Sequence, residues 1–536
     1  MLRHRVGHPA GQAGRLFSPP LNPEPVSLLP PMDSQHIAVI DFGSQYTQLI
    51  VRRIREQGFF SKLYQPHEVA LTGTPAAVIL SGGPRSVTEE NAPDIDLEYL
   101  QNLEVPILGV CYWMQLLSKK LGGHVAPGNT REYGPAQLVP CIESSLFAGL
   151  SPSAQIWMSH SDTVNQPPPV AVVLGKNQEG VPVALQFGPE TFGIQFHPEV
   201  SHSHEGSRIL SNFLAMATDA KPFRIEDFKQ ELITQIQEKC HGREVVCGVS
   251  GGVDSTVLAV LLKEAMVPHR AIFVNNGLLR QNEVAEVQAQ FQQLGVNLET
   301  IDAADRFLTA LAGETDPEKK RTIIGNNFLD VFWEAAANVD ILAQGTLYPD
   351  VIESATSGSI ASKIKTHHNR VDRIMALHKE GRVLEPLAEL FKDEVRALGA
   401  SMGIPHAILH RHPFPGPGLA VRCPGEVTEE KLRIIREGDA IFMRMLKEHG
   451  HYDKVWQAYC GLIPVKTVGV KGDERSYEFA VTLRAVTSED AMTADFAKLP
   501  WEFLGLVSNA ILNGVKGINR VLYDISTKPP ASIEWE

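Results

Sequence analysis

The sequence predicts an α/β protein: two successive doubly wound α/β domains followed by a small α+β C-terminal domain. Three observations support this fold class. From residue 35 short apolar runs alternate with helical patterns, the alternation fades and restarts near residue 220, and beyond residue 411 strands of alternating polarity replace it. The expected divisions are a disordered extension over 1–31 and domains over 32–220, 221–411 and 412–536.

The first α/β region contains apolar runs that end in glycine, proline or small polar residues. These runs are "HIAVIDFG", "AAVILSGGP", "VPILGV" and "VPVALQFG", the last followed closely by "TFGIQFHPEV". Between the first two runs, residues 46–58 have the apolar spacing of an amphipathic helix. This alternation predicts a mostly parallel sheet with helices on both of its faces.

The second region repeats the alternation, and the third departs from it. "REVVCGVSGGVDSTVLAVLLKEA" predicts a strand, a glycine-rich loop and a helix, and "HRAIFVNNG" and "VDILAQGT" predict further strands. After the proline- and glycine-rich segment "RHPFPGPGLAVR", the runs "YEFAVTLRAV" and "INRVLYDIST" are typical of strands in a smaller α+β domain.

The composition argues against several classes of function. The 536 residues carry a formal net charge of −13, which disfavours a role that depends on binding nucleic-acid phosphates. The six cysteines form no CxxC pair, as expected for reduced thiols in a cytoplasmic protein. No apolar run approaches the roughly 20 residues that cross a membrane. Residues 1–31 are rich in proline and arginine and lack the apolar core of a secretory signal, so a disordered extension is expected.

A thiol lies at the junction of a strand and a helix in "VPILGVCYWMQLLSKKLGG", residues 105–123. An elbow of this kind lifts a nucleophile clear of its sheet, which makes Cys111 a candidate nucleophile. Small residues usually flank such an elbow, because the backbone packs closely there, yet position 113 is a tryptophan. The alternative interpretation of Cys111 is a small hydrophobic residue at the end of a buried strand.

The stretch "GIQFHPEV" places His197 and Glu199 two residues apart at the end of a predicted strand, so both side chains face the same way. A carboxylate holds an imidazole in one tautomer, and the imidazole then takes the proton of a nearby thiol. After another strand, "LSGGP" offers the backbone N–H of Gly83, which with that of Tyr112 forms a candidate oxyanion hole. The alternative for a lone histidine of this kind is a structural role.

Together these motifs resemble the class I, or triad, glutamine amidotransferases over about residues 36–215. The matching residues are "GVCY" and then "MQ" around Cys111, "SGGP" at 81–84 and "HPE" at 197–199. The resemblance implies that Cys111 attacks the side-chain amide of glutamine, with His197 as base and then acid and Glu199 orienting it. Ammonia and a glutamyl thioester would result.

A second motif, "VSGGVDST", joins a predicted buried strand to a helix whose N-terminus suits an anion. It lacks the GxxxxGK[ST] pattern of a kinase-type loop, and a tight turn without a ligand is the alternative. "SGGVDS" resembles the loop of the N-type ATP pyrophosphatases, which implies ATP as substrate and a magnesium ion, Mg²⁺, on the carboxylate of Asp254. The expected ATP-binding residues are Ser250, Gly251, Gly252, Val253, Asp254, Ser255 and Thr256.

Further stretches from residue 36 to the C-terminus resemble the glutamine-hydrolysing GMP synthases: "DFGSQYTQLI", "RHPFPGPGLAVR", "VGVKGDERSY" and "ISTKPPASIEWE". The resemblance implies amination of XMP to GMP with glutamine, ATP and Mg²⁺, in a cytoplasmic homodimer whose C-terminal domain carries dimerisation and part of the XMP site. The chemistry of XMP makes Lys528 a candidate phosphate-binding cation, Arg411, just before the proline-glycine turn, a second one, and Glu534 a candidate partner for base or ribose donors. The alternative for each is a solvated surface charge. The expected lid over the triphosphate contains Lys365, His367 and His368.

Three features depart from the family pattern: Trp113 where glycine is usual, Asn275 where an aspartate is expected, and "RVDRIMALHKEG" over 370–381, whose pattern predicts a short amphipathic helix that could alter the lid. We expect the tryptophan to be tolerated; a glutaminase disabled by it would leave an XMP aminase that depends on free ammonia. A tRNA-thiolating enzyme is a competing hypothesis, but it would need a basic surface and paired cysteines. A nucleotide sensor that binds XMP without releasing AMP is the last competing hypothesis.

Overall fold

The computed structural model describes residues 36–44, 46–66, 75–89, 92–200, 202–217, 220, 222–348, 350, 374, 376–471, 473–488 and 493–536. The expected extension over 1–31 and the expected lid residues Lys365, His367 and His368 lie outside these ranges. The described residues form three sheets, and the α/β fold class is confirmed. In these described ranges no helix is both long and apolar enough to cross a membrane.

The first sheet has nine strands and combines a parallel part with an antiparallel part. The strands are β1 (Ile37–Ile40), β2 (Ser61–Tyr64), β3 (Ala77–Leu80), β4 (Ile107–Val110), β5 (His124–Pro140), β6 (Ala154–Gln166), β7 (Val172–Lys176), β8 (Pro182–Gly188) and β9 (Thr191–Ile194). Their order is β2-β1-β3-β4-β9-β8-β7-β5-β6. The helices are α1 (Thr47–Glu56), α2 (Leu97–Asn102), α3 (Tyr112–Lys120) and α4 (Gly206–Leu214).

The expectation of a mostly parallel sheet holds only for part of this sheet. β2, β1, β3, β4 and β9 run parallel, whereas β8 is antiparallel to β9 and to β7, and β5 is antiparallel to β6 and to β7. The reason lies in the connections, because short turns join β7 to β8 and β8 to β9 where a parallel arrangement needs a long crossover. The parallel part brings the carboxyl ends of β3, β4 and β9 to one edge.

The second sheet is parallel throughout and is doubly wound. Its strands β10 (Val245–Val249), β11 (His269–Asn275), β12 (Leu298–Asp302), β13 (Ile341–Ala343) and β14 (Val383–Leu384) lie in the order β12-β11-β10-β13-β14. The strand order reverses beside β10, the position where such sheets bind ligands at their carboxyl ends. The helices are α5 (Ile225–Cys240), α6 (Val253–Glu264), α7 (Glu283–Gln293), α8 (Ala304–Leu311), α9 (Pro317–Ala335), α10 (Lys392–Ser401) and α11 (His406–Leu409).

The C-terminal region is α+β, as predicted. It contains α12 (Glu429–Glu448), β15 (Gln457–Lys471), β16 (Glu474–Thr487), β17 (Asp495–Phe496), α13 (Trp501–Gly514) and β18 (Ile518–Tyr523). β16 pairs antiparallel with β15 and β17 and parallel with β18, so it is the central strand of the third sheet. Short 3₁₀ turns lie at Ser145–Phe147, Gly418–Arg422 and Tyr452–Lys454.

The buried cores of the second and third sheets are continuous. One apolar cluster contains Val246 of β10 and Phe332 of α9 together with Leu432 of α12 and Val481 of β16. Apolar side chains from the two regions therefore pack against each other across residue 411, the position at which the sequence predicts a change of domain.

Helix α1 joins the first sheet to the second through one buried arginine. Nη1 of Arg55 lies 2.7 Å from Oε2 of Glu394 in α10, and their side chains are only 4% and 12% exposed. Three aromatic rings surround the guanidinium at 4.9, 5.3 and 5.5 Å from their centroids: Phe60, Phe391 and Tyr348. The contact thus combines an ion pair with cation–π interactions, which favours one fixed arrangement of the two helices.

Candidate active sites

Cys111 lies at the elbow between β4 and α3, as the sequence predicts. Its backbone φ is 51° and its ψ is −100°, a conformation that a residue with a side chain adopts only where the surrounding fold imposes it. The Cys111 N–H donates to the carbonyl oxygen of Ile194 at 2.7 Å, which ties the elbow to β9. The turn therefore holds the thiol at the carboxyl edge of the parallel strands.

His197 and Glu199 form the pair that their spacing predicts. Nδ1 of His197 lies 2.7 Å from Oε1 of Glu199, and both side chains are buried. Burial alone would lower the pKa of His197, but the Glu199 carboxylate and a hydrogen bond with Cys111 raise that pKa well above its usual value. The ring of Tyr46 packs edge-on against the imidazole, 5.0 Å between centroids. The imidazole is thus held between a carboxylate and a thiol, as a base with an orienting partner requires.

A cavity of about 290 Å³ opens beside Cys111 and His197. Gly83 and Tyr112, the candidate oxyanion donors, both line it. The Tyr112 hydroxyl donates to a backbone carbonyl at 2.5 Å, so the backbone N–H is the donor that this residue has to offer. The space at position 82 is tight, because a Cβ on Gly82 would lie 3.2 Å from Cε1 of His197 and 3.5 Å from Cβ of Cys111. The sequence-predicted thiol, base and oxyanion donors therefore surround one cavity.

Trp113 packs in the core next to the elbow. Its side chain is 2% exposed and lies in the apolar cluster that contains Leu80 and Leu117. A Cβ on Gly109 would lie 2.4 Å from Cε3 of the indole, so the ring fills the space over this glycine of β4. The described residues that line the cavity do not include Trp113. A glycine four positions earlier in the chain thus accommodates the bulky side chain.

Two glutamines to which the sequence analysis gave no role connect the thiol to the cavity wall. Nε2 of Gln115 donates to the carbonyl oxygen of Asp162 at 2.8 Å and to Oε1 of Gln195 at 3.1 Å. Nε2 of Gln195 lies 3.5 Å from Sγ of Cys111. Gln195 precedes the candidate base, His197, by two residues. The same two-residue spacing that pairs His197 with Glu199 therefore predicts that the Gln195 side chain faces the same way as theirs.

The side chain of His160, which lines this cavity, lies close to that of Glu132. Nε2 of His160 lies 3.3 Å from Oε2 of Glu132. Burial raises the pKa of Glu132, and burial lowers the pKa of His160 to about 4. Nδ1 of His160 donates to the carbonyl oxygen of Asp162 at 2.9 Å, which fixes the tautomer of the neutral ring. Sequence reasoning had no signal for this pair, whose members lie on two different strands.

The candidate phosphate loop makes a tight turn at Gly251, between β10 and α6. The φ of Gly251 is 73°, and a Cβ there would lie 2.7 Å from a valine side chain of α7, so only glycine fits. The N–H of Ser250 donates to Oγ of Ser255 at 3.2 Å, and Oγ1 of Thr256 donates to the carbonyl of Gly252 at 2.7 Å. These bonds hold the loop at the N-terminus of α6, where backbone N–H groups bind phosphate.

Asp254, the candidate magnesium ligand, is paired with a lysine of another helix. Nζ of Lys392, the first residue of α10, lies 2.6 Å from Oδ1 and 2.5 Å from Oδ2 of Asp254. An ammonium group thus stands where a cation would contact this partly exposed carboxylate. The described residues contain no cluster of three or more His, Cys, Asp or Glu side chains placed to hold a metal. One carboxylate beside a phosphate loop nevertheless suits Mg²⁺, which takes most of its remaining ligands from phosphates and water.

Three family models match successive parts of the chain. Class-I glutamine amidotransferase matches residues 38–217, NAD synthase matches 225–329, and the GMP synthase C-terminal domain matches 444–535. The glutamine-hydrolysing GMP synthase of Thermosipho melanesiensis is 48% identical over 519 residues, which are 93% of this chain and 99% of that protein. The chain belongs to the glutamine-hydrolysing GMP synthase family.

A second relative agrees with this membership. The GMP synthase of Cytophaga hutchinsonii is 48% identical over 514 residues, which are 94% of this chain and 100% of that protein. The resemblance to GMP synthases that the motifs indicated is therefore confirmed. The structural match to a solved glutamine amidotransferase of Thermotoga maritima covers 37% of this chain and 84% of that protein's chain. The two are 21% identical, with a TM-score of 0.26.

One of the candidate XMP contacts of this GMP synthase family member, Arg411, lies against the phosphate loop. Nη1 of Arg411 donates to the carbonyl oxygen of Gly251 at 3.2 Å, and its other terminal nitrogen pairs with the buried carboxylate of Glu283. The sequence predicts this arginine as a cation next to a proline-glycine turn. Its partner Glu283 is far away in the chain, so this contact had no local signal.

The other two candidate XMP contacts lie near the C-terminal end of the third region. Glu534 accepts two hydrogen bonds from the buried guanidinium of Arg422, at 3.0 and 2.9 Å, and one from Nε2 of Gln457 at 2.7 Å. The backbone N–H of Lys528 donates to the carbonyl oxygen of Ala494 at 2.8 Å. Glu534 is thus fixed in orientation by its partners.

The two remaining departures from the GMP synthase pattern have local structural roles. Nδ2 of Asn275 donates to Oδ1 of Asp302 at 3.0 Å, and Oδ1 of Asn275 accepts from the N–H of Gly277 at 3.1 Å. An aspartate at 275 would face the Asp302 carboxylate without a proton to donate. Within 370–381, residues 376–379 are helical and Leu377 is buried, as the amphipathic pattern of that segment predicts.

Proposed function

We propose that this protein converts XMP to GMP, with glutamine as the nitrogen donor and ATP as the activating nucleotide. One observation carries the proposal. The thiol–imidazole–carboxylate arrangement of Cys111, His197 and Glu199 and the phosphate loop at Gly251 occur together in a chain of the GMP synthase family. The first arrangement suits release of ammonia, and the second suits activation of the acceptor that ammonia attacks.

At the first centre, Sγ of Cys111 attacks the side-chain carbonyl carbon of glutamine. His197 takes the thiol proton and returns it to the departing nitrogen, so that ammonia leaves and a glutamyl thioester remains. Water, deprotonated by the same imidazole, hydrolyses the thioester to glutamate. Glu199 stabilises the protonated imidazole, in keeping with the raised pKa of His197. The N–H groups of Gly83 and Tyr112 stabilise the oxyanion.

At the second centre, an oxygen of the XMP base attacks the α-phosphate of ATP. Pyrophosphate leaves, adenylated XMP remains, and ammonia then displaces AMP to give GMP. The loop at Gly251 and the N-terminus of α6 bind the departing phosphates through backbone N–H groups. Mg²⁺, held at Asp254, would supply positive charge to those phosphates. Lys392, beside Asp254, supplies a further cation to the same place.

For XMP, we propose that Lys528 and Arg411 offer positive charge to the phosphate and that Glu534 accepts hydrogen bonds from the base or ribose. The bidentate pair between Glu534 and Arg422 supports this, because it fixes the direction of the acceptor oxygens. Glu534→Gln should raise the KM for XMP while leaving glutamine hydrolysis without XMP unchanged. An unchanged KM for XMP in that variant contradicts the assignment.

The reaction is tested by measuring GMP formation with glutamine and, separately, with an ammonium salt. The wild-type protein should use both. Cys111→Ala should lose glutamine-dependent synthesis by about a thousandfold or more and keep ammonia-dependent synthesis. Wild-type activity with ammonium alone would favour the ammonia-dependent XMP aminase, and XMP binding without AMP release would favour a sensor. The burial of Trp113 away from the cavity supports glutamine use.

We further propose a cytoplasmic homodimer whose interface includes the long hairpin of β15 and β16. The supporting observation is a row of exposed apolar side chains on this hairpin: Val465, Val468, Val470 and Tyr477. Such a patch on an extended arm favours association with a second copy. Light scattering should give twice the chain mass for the wild type and a lower mass for Val470→Asp. A monomeric wild type contradicts the proposal.

A further inference from the structure

A buried amide faces the nucleophile of the glutaminase centre, and the triad does not account for it. Gln195 is 2% exposed, and its Nε2 lies 3.5 Å from Sγ of Cys111. We propose that Gln195 is a catalytic residue whose N–H donates a hydrogen bond to the sulfur and stabilises its thiolate form. This inference rests on the proposed glutaminase function and deepens it.

The direction of the Gln195 amide is fixed by the hydrogen-bond chain behind it. The carbonyl oxygen of Asp162 can only accept, so the Gln115 atom 2.8 Å away is the nitrogen Nε2. That nitrogen also lies 3.1 Å from one terminal atom of the Gln195 amide, which must accept and is therefore Oε1. The other terminal atom, Nε2, then faces the sulfur. A backbone carbonyl thus determines, through two side chains, that a donor points at Cys111.

A donor at this position acts on the charged form of the nucleophile. Hydrogen bonds to ionised acceptors are stronger than those between neutral groups, and a buried site strengthens them further. His197 hydrogen-bonds the same sulfur, so an imidazole and an amide both contact it. The titratable groups that line the cavity besides its tyrosines are Arg85, His160, Asp162 and His197. Among the described residues, the sulfur also contacts the carbonyl oxygen of Ser159, 3.9 Å away.

The residue type matters as much as the position. A carboxylate at 195 would have no proton to donate at neutral pH and would repel the thiolate. A methionine would keep the volume of the side chain but remove the donor. Gln195→Met and Gln195→Glu therefore separate loss of the hydrogen bond from reversal of the local charge, with little change in packing.

The test measures the rate at which iodoacetamide alkylates Cys111 in the full chain as a function of pH. Mass spectrometry of the Cys111 peptide separates this reaction from that of the exposed Cys141. The midpoint of the profile should rise by about one to two pH units in Gln195→Met, and further in Gln195→Glu. Gln235→Met, which changes a buried glutamine of α5, is the matched control and should give the wild-type profile.

Steady-state kinetics complete the test. The kcat of glutamine hydrolysis should fall by about 10- to 100-fold in Gln195→Met, with the KM for glutamine nearly unchanged and ammonia-dependent synthesis intact. An alkylation profile that coincides with the wild type overturns the inference, and so does an equal loss of ammonia-dependent synthesis. Glutaminase activity that survives in Cys111→Ala overturns the proposed function instead, while the alkylation profiles still report whether the hydrogen bond exists.

Discussion

Replacing Trp113 by glycine, the residue usual in the family, should destabilise the protein without accelerating glutamine hydrolysis. The indole is 2% exposed. Burying an aromatic side chain of roughly 200 Å² contributes about 5 kcal/mol at about 25 cal/mol per Å². Glycine within α3 costs about 1 kcal/mol more, while removal of the indole N–H, which has no partner among the described residues, returns about 2 kcal/mol. The expected net loss is about 4 kcal/mol.

Calorimetry of the full chain and the initial rate of glutamine hydrolysis measure this outcome. The lowest-temperature unfolding transition should move down in Trp113→Gly, and the rate below that transition should not exceed that of the wild type. Trp113→Phe is the matched control; it keeps most of the apolar area and loses the unpaired N–H, so it should be within about 1 kcal/mol of the wild type. A Trp113→Gly protein that is as stable as the wild type, or a faster glutaminase, would refute the placement of the indole over Gly109.

Further predictions concern charge. Asn275→Asp should destabilise the second α/β region by about 1 kcal/mol, because it replaces a donor to Asp302 with a second carboxylate; equal urea midpoints would contradict this. Arg55→Met should cost about 3–5 kcal/mol, since it leaves the buried Glu394 carboxylate without its partner, and adding Glu394→Gln should restore part of the loss. Burial lowers the pKa of His160 to about 4 in the folded protein, so as pH falls the unfolded chain takes up this proton before the folded protein does. The contribution of His160 to the free energy of unfolding is therefore complete above about pH 6.5 and is lost as pH falls towards 4. This loss, up to about 3 kcal/mol, should be absent from His160→Gln in pH-dependent melts.

Local spacing predicted those parts of the sites that the chain builds from neighbouring residues. The elbow at Cys111, the pair at His197 and Glu199, and the turn at Gly251 each depend on fewer than about ten consecutive residues, because a strand end and a helix start define them. Their mutual approach around one cavity depends on parallel strands whose carboxyl ends share an edge. The alternation of strands and helices predicted that edge.

Contacts between distant segments had no comparable signal. The antiparallel half of the first sheet was missed because apolar runs do not show the direction of the strand beside them. Arg411 was interpreted as a cation beside a proline-glycine turn, whereas Glu283, a partner on another helix, holds it against the phosphate loop. The tolerance of Trp113 depends on the absence of a side chain at Gly109, a relation visible only when β4 and α3 are packed together.

The contact between α1 and α10 also bears on how such a polypeptide can be divided into separate gene products. A cut near residue 220 would leave one piece with Arg55 exposed and the other with Glu394, whose carboxylate also accepts the N–H of Phe391 at the start of α10. Each piece would present a single charge within an aromatic rim, a combination that recognises its complement selectively. A covalent chain keeps the two pieces in equal numbers. The contact between Arg55 and Glu394 would let two separately expressed pieces associate.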